Sequence, residues 1–361
     1  MCPRAGPPHG DGVSGDGTTQ HGYRIHGWGS APVWEEMPRP RAGIGEVLIE
    51  VEACGVGLTV LNCINGNLGD DPALLPRVPG HELVGRVAAC GPGVDSALQG
   101  RRVVAYFYLS CDACHWCRSG AQPRCERLAG VVGVHRDGGY APWVTLPAGN
   151  AIAVPEALDP VRATVVADAV ATPLHVCGTR ARLVPSDRVV IIGAGGGVGA
   201  HMVQVAALHG ARVAGFDRGA DKLAAIEDLG ALAVESGDIA AVDGAALWPD
   251  GPPTAVIDLV GTPQTLAWAT ANLAAGGRVV VLTTFPDGKG TLWPRELVFS
   301  EASVIGSRYA SKAEVATAAH LVAAGRITPV IGMTTGPADV LDLHAALRSG
   351  GLIGRGALTW M

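Results

Sequence analysis

Four cysteines stand in one short stretch as Cys111-x2-Cys114-x2-Cys117-x7-Cys125. Thiolates are soft ligands, and four closing tetrahedrally around one ion make a structural zinc site with no open position for chemistry. An iron–sulfur cluster is the competing reading, because three cysteines at this pitch also occur in ferredoxins. The wider last gap and the lack of a second run of cysteines disfavour it. Cys54, Cys63, Cys90 and Cys177 are scattered and read as small buried hydrophobes.

A second constellation runs from Arg188 to Asp217. An apolar, β-branched run, Val189 to Ile192, precedes five glycines between Gly193 and Gly199. A helix is predicted from Gly197 to Leu208, ended by His209-Gly210, and a second strand from Ala211 to Phe216 leads into Asp217. Gly193, Gly196 and Gly199 form G-x-x-G-x-x-G, one residue longer in the turn than the usual dinucleotide fingerprint. Such a turn lets the backbone approach a pyrophosphate, with Gly197, Val198 and Gly199 offering amides at the helix N-terminus. Asp217 can accept the adenosine ribose hydroxyls and would repel a 2′-phosphate, which predicts NAD(H) over NADP(H). Arg218 points the other way, since a guanidinium can pair with that phosphate. The plain alternative is a structural strand–helix–strand unit.

These residues need elements to hold them. Residues 22 to about 165 read as β-rich: Gly45 to Ala53 alternates like a strand after a turn, and Leu83 to Ala89 and Arg102 to Tyr106 follow the same rule. From about residue 165 strands and helices alternate, through Ala255 to Val260, Pro263 to Leu273 and Arg278 to Leu282, as in a doubly wound parallel sheet. Two helical patterns, Lys312 to Ala324 and Ala338 to Leu347, and a short strand end the chain. The expected division is a tail at 1–21, disordered and rich in Gly, Pro, Thr and Asp; a β-rich domain at 22–168 and 305–361; and a dinucleotide-binding domain at 169–304. The fold class is α/β.

With 361 residues the chain has material for two domains, and a net charge of −6 without long charge runs argues against nucleic acid or anionic membrane as partner. No apolar run is long enough to span a bilayer and the start lacks a secretory pattern, so a reducing cytoplasm is expected. That setting favours metal over disulfide for clustered cysteines.

In combination, Ala53-Cys54-Gly55-Val56, Gly80-His81-Glu82, the four-cysteine lobe, the glycine turn and the ending Gly354-Arg355-Gly356-Ala357-Leu358-Thr359 resemble the medium-chain zinc-dependent alcohol dehydrogenases over residues 23 to 361. The resemblance implies a GroES-like catalytic domain, a Rossmann domain and hydride transfer to or from nicotinamide in the cleft between them. It places Lys222 beside the adenosine ribose, Thr172, Val260 and Leu282 to Thr284 at the nicotinamide end, and Arg355 near the pyrophosphate. It sets Phe107 and Tyr108 where the family lines its substrate pocket. It also implies a homodimer or homotetramer, paired through a last sheet strand near Gly288 to Leu292.

The family's catalytic zinc uses a Cys, the His of Gly-His-Glu and a later Cys or acid. His81 and Asp168 fit the second and third places, but the first is Gly57. The proton relay keeps its hydroxyl as Thr59, while its His is replaced by Asn62 and its acid by Val60. Catalytic zinc needs three protein ligands and an open position. Glu82, Cys63 or a water could fill the gap, and Gly57→Cys is the substitution expected to rebuild it. The preferred reading has no tightly held catalytic zinc. It is a reductase of a small substrate that is already electrophilic, an enone or an iminium ion, with Thr59, Tyr108 or a water on His81 giving the proton. The alternatives are an NAD-dependent zinc alcohol dehydrogenase, and a non-redox lyase, cyclase or dinucleotide-binding protein on the same fold.

Overall fold

The computed structural model describes residues 17–283 and 289–361, which fall into two compact units. The first comprises the described residues up to Asp168 together with Ser311–Met361, and the second is Ala169–Ala310.

The first unit is built on the strand Glu46–Val56. It pairs antiparallel with Glu82–Cys90, with Arg355–Thr359 and with Trp143–Pro147. Arg102–Ala105 and Ala151–Ala153 extend the sheet on one side and Ile331–Thr335 on the other. The central strand runs three residues past the Ala53 that the alternation suggested, because the C-terminal strand Arg355–Thr359 pairs with that extension. A two-stranded sheet, Thr19–Arg24 with Val33–Pro38, lies outside this path. Its first strand begins inside the tail expected at 1–21, because Gln20 is buried and exchanges hydrogen bonds with the Trp143 backbone.

The register sets up the site. Gly356 pairs with Val56, and Gly55 pairs with Glu82. Arg355, Gly57 and Glu82 are thereby brought together from three distant parts of the chain. Gly55 and Gly57, two residues apart, share one face of their strand direction. A Cβ on Gly55 would lie 3.1 Å from Glu82 Cδ and closer still to Oε2, so glycine there makes room for the carboxylate.

The second unit is a parallel sheet in the order Leu232–Glu235, Arg212–Asp217, Arg188–Ile192, Ala255–Asp258, Arg278–Val281 and Ser303–Gly306. Val190, Ile192, Ala214, Phe216, Val256, Trp268 and Val279 make its core. The inner strands read as unbroken apolar runs because both faces are covered. The sheet ends on Ser303–Gly306, so the chain returns to the first unit after Ala310 rather than at 305. A strand near Gly288 to Leu292 is not found: 289–292 are irregular, and 284–288, with Thr284, lie outside the described residues.

Candidate active site

Helix Gly197–Leu208 starts from Gly196 with no side-chain cap, so the amides of its first turn are left for a ligand. Two glycines shape the turn. Gly193 has φ +87°, and a Cβ on Gly199 would stand 2.7 Å from Ala194 Cα and closer to the Gly193 carbonyl oxygen. Asp217 is fixed at the end of its strand: Oδ2 accepts the Gly195 amide at 2.8 Å and Oδ1 the Arg218 amide at 2.8 Å. Lys222 Nζ lies 3.6 Å from Oδ1, while Arg218 is exposed. These residues fit a dinucleotide: uncapped amides for the pyrophosphate and an anchored carboxylate for the ribose. Leu282 and the exposed Val260 follow the Ala255–Asp258 and Arg278–Val281 strands, and the Val260 amide donates to Asp258 Oδ1 at 2.9 Å. Thr172 is buried in the helical turn Ala171–Leu174.

In the first unit Cys111, Cys114, Cys117 and Cys125 place their sulfurs within 4.8 Å of one another. Cys114 and Cys117 sulfurs are 3.5 Å apart and those of Cys111 and Cys117 3.9 Å. Thiolates at about 2.3 Å from one zinc ion would lie roughly 3.8 Å apart, so the lobe fits the metal. Backbone amides, that of Ala113 foremost, hold the Cys111 thiol down at about 6, while burial pushes Cys117 up to about 12.

The third cluster gathers His81, Glu82 and Asp168, whose ligand atoms also fall within 4.8 Å. His81 immediately precedes and Glu82 opens the strand Glu82–Cys90, and Asp168 sits on a wide π-helical turn, Val166–Val170. All three are buried. His81 Nε2 lies 3.2 Å from Glu82 Oε1 and 3.8 Å from Asp168 Oδ2. These are charge contacts rather than aligned hydrogen bonds, since neither ring nitrogen has a hydrogen-bond partner. Burial disfavours the imidazolium, but Asp168 and Glu82 outweigh it and push His81 up to about 9. Phe107 packs edge-on against the ring with centroids 4.7 Å apart, and Tyr108 packs on Phe107. Thr59 is half-buried on the first turn of helix Leu58–Ile64, next to Leu58 and Gly57.

The sequence did not place Arg355 among these residues, yet its guanidinium is buried in this cluster. Nε donates to Glu82 Oε2 at 2.9 Å, and Nη2 donates to Glu82 Oε1 and, at 2.9 Å, to Asp168 Oδ2. A Cβ on Gly57 would stand 2.9 Å from Arg355 Nε and closer to Nη1 and Cζ, so a cysteine there would collide with the guanidinium rather than complete a ligand set. Cys63 does not reach the cluster within ligand distance; burial, with the Asp168 and Glu82 charges, pushes its thiol up to about 12. With Arg355 in place these residues do not fit a catalytic zinc. Gly55 entered the sequence reading only within the Ala53–Val56 motif, with no role assigned to it.

The uncapped glycine turn on a parallel sheet, the buried ionic cluster and the four-cysteine lobe together fit a dinucleotide-dependent oxidoreductase. Residues 43–156 match the alcohol dehydrogenase GroES-like domain and residues 197–324 the zinc-binding dehydrogenase domain. An alcohol dehydrogenase of Geobacillus stearothermophilus is 31% identical over 336 residues, covering 89% of this chain and 93% of the relative. An NAD-dependent alcohol dehydrogenase of Sulfolobus acidocaldarius is 28% identical, covering 92% of this chain and 98% of that one. The solved structure of a cobalt- and zinc-bound thermostable alcohol dehydrogenase from Pyrobaculum aerophilum superposes with a TM-score of 0.82 at 29% identity, over 94% of this chain and all of that one. The chain belongs to the zinc-type medium-chain dehydrogenase/reductase family, whose members are NAD(P)-dependent oxidoreductases.

Proposed function

We propose that the protein is an NADH-dependent reductase of an activated double bond, an enone or an iminium ion, that works without a catalytic zinc. One observation carries this reading: both carboxylates of the only donor set that could hold such an ion, among the described residues outside the Cys lobe, are already engaged by Arg355. When bound, the nicotinamide supplies the hydride. A simple ketone needs its oxygen polarised and a proton delivered to it, and the loss of a thiolate at Gly57 and of the relay His at Asn62 removes family parts for both. A conjugated alkene or an iminium carbon accepts hydride without that help. For an enone, one proton must then reach the α-carbon, and Thr59, Tyr108 or a water on His81 is the donor. For an iminium ion, hydride alone completes the amine.

We assign one structural zinc to the Cys lobe, NAD(H) to the glycine turn and the cytoplasm as the compartment. Eight cysteines in the described residues are unbridged, and no described helix is long and apolar enough to cross a membrane. A zinc alcohol dehydrogenase is the second reading, supported by the two unpartnered ring nitrogens of buried His81. The non-redox alternative has no observation behind it. The test follows NADH oxidation with a conjugated enal, a cyclic iminium and a saturated ketone of similar size. We expect turnover of one of the first two to exceed that of the ketone at least tenfold. Equal or faster reduction of the ketone defeats the proposal.

A further inference from the structure

We propose that the Arg355 guanidinium is the resident cation of the His81–Glu82–Asp168 pocket, standing where a metal would have to bind, and that Gly57 is kept bare to seat it. The inference rests on the zinc-free reading of this pocket and gives that reading a physical cause.

The coincidence is atomic. The carboxylate oxygens nearest His81 Nε2 are Glu82 Oε1 and Asp168 Oδ2, at 3.2 and 3.8 Å. Those same two oxygens accept from Arg355 Nη2. An ion ligated by Nε2, Oε1 and Oδ2 would have to compete with Nη2 for two of its three donors. Nε closes the fork on Glu82 Oε2, which makes the pair bidentate and geometrically fixed. The guanidinium cannot deprotonate to make way, as a lysine could. Its side chain is 4% exposed, and those of Glu82 and Asp168 are 0% and 10%.

The backbone was shaped for this arrangement at two points. Gly55 leaves room for the Glu82 carboxylate, and Gly57 leaves room for the guanidinium. At Gly57 a thiolate and the guanidinium in its present place cannot coexist, so one of them would have to shift. The unpartnered nitrogens of His81 are the one feature that a metal would explain. They do not outweigh a permanently charged group already bonded to the other two donors.

The test uses the full-length protein, measuring zinc by elemental analysis and then cobalt uptake after dialysis. Wild type should carry about one zinc, that of the Cys lobe, and take up no second metal. Arg355→Met, which keeps the length and removes the charge, should gain one further metal per chain, with the cobalt spectrum of a nitrogen–oxygen site lacking thiolate charge transfer. A second tightly held metal in wild type overturns the inference, and so does a folded Arg355→Met that binds no more than wild type. Should that variant fail to fold with two carboxylates unpaired, Gly57→Ala decides. Its Cβ intrudes on the guanidinium, so its Tm should fall by roughly 5 °C or more. The reference is Gly336→Ala, where φ is −75° and no atom lies within 4 Å of the added Cβ. Equal Tm values for the two variants overturn the inference. The metal count is independent of the substrate panel: a protein with one zinc that reduces only ketones would lose the proposed activity and keep this inference, and a two-zinc enone reductase would keep the substrate class but lose both this inference and the zinc-free part of the reading.

Discussion

Asp217 performs two tasks with one carboxylate. Its bonds to the Gly195 and Arg218 amides lock the end of its strand to the glycine turn, and they leave the group oriented for a ribose diol. Asp217→Ser should weaken NADH binding roughly tenfold, about 1.4 kcal/mol, while NADPH binding holds or improves because exposed Arg218 is then unopposed. Fluorescence titration of both nucleotides measures this, and tighter NADPH than NADH binding in the wild type would show that Arg218 dominates. Asp217 was legible because the strand, the turn and the acid are neighbours in sequence, and their spacing carries the chemistry. Arg355 was not. Its partner Glu82 is brought to it by a strand register joining the two ends of the first unit, and Asp168 by a π-helical turn, and no local pattern reports either across that distance.

At the scale of elements, the Cys lobe is an irregular segment whose only regular structure is two single turns, His115–Arg118 and Gln122–Arg124. So short a segment buries little apolar surface, so the proposed zinc would supply much of its order. Cys114→Ser should lose the zinc and a large part of the soluble yield, with elemental analysis and the folded fraction as readouts. A well-folded protein with these four thiols free and titratable would rule the site out. The parallel sheet has its own anchor in Asp187, which accepts Arg278 Nη2 at 2.6 Å and the Thr254 hydroxyl at 2.6 Å. Burial raises the Asp187 carboxyl, but the Arg278 and Thr254 bonds overcome it and hold it below the usual carboxylate range. A depressed carboxyl stabilises the fold at pH above its unfolded value near about 3.9, and that stability is lost as the pH falls through the lower folded value. Asp187→Asn should therefore cost about 2 kcal/mol at pH 7, less than a fully buried pair because Arg278 keeps some solvent access. The penalty should shrink in acid as the pH falls through that lowered folded value, and a penalty in urea unfolding that stays constant from neutral pH into acid would refute the assignment. Local signals found helix Gly197–Leu208 and strand Arg278–Val281 to within a residue: the glycine turn and His209-Gly210 bound the helix, and the strand is a β-branched run. They missed the π-helical turn that carries Asp168, since a five-residue widening leaves no apolar period to read.

For the molecule as a whole, we expect self-association through the second unit. Helix Pro294–Ser300 exposes Val298 at 71% and Phe299 at 74%, and Trp293 just before it is 67% exposed. This apolar surface sits in sequence beside Ser303–Gly306, the edge strand of the parallel sheet, whose Val304 is also exposed. An open strand edge flanked by exposed aromatic and aliphatic side chains is a liability in a monomer and a natural seat for a second copy. A twofold contact would use the same patch on both subunits, so a single added charge is introduced twice at the interface. Phe299→Asp should shift the protein from dimer or tetramer toward monomer at micromolar concentration by sedimentation equilibrium. Because Phe299 is largely exposed within one chain, the variant should keep the circular dichroism of the wild type and the metal content of the Cys lobe. The strand expected near residues 288–292 to pair with a second copy begins outside the described residues, and 289–292 are irregular within one chain, whose sheet ends on Ser303–Gly306 in parallel register with Arg278–Val281. Wild-type protein that sediments as a monomer at those concentrations would remove the claim, and a dimer unaffected by Phe299→Asp would move the interface elsewhere.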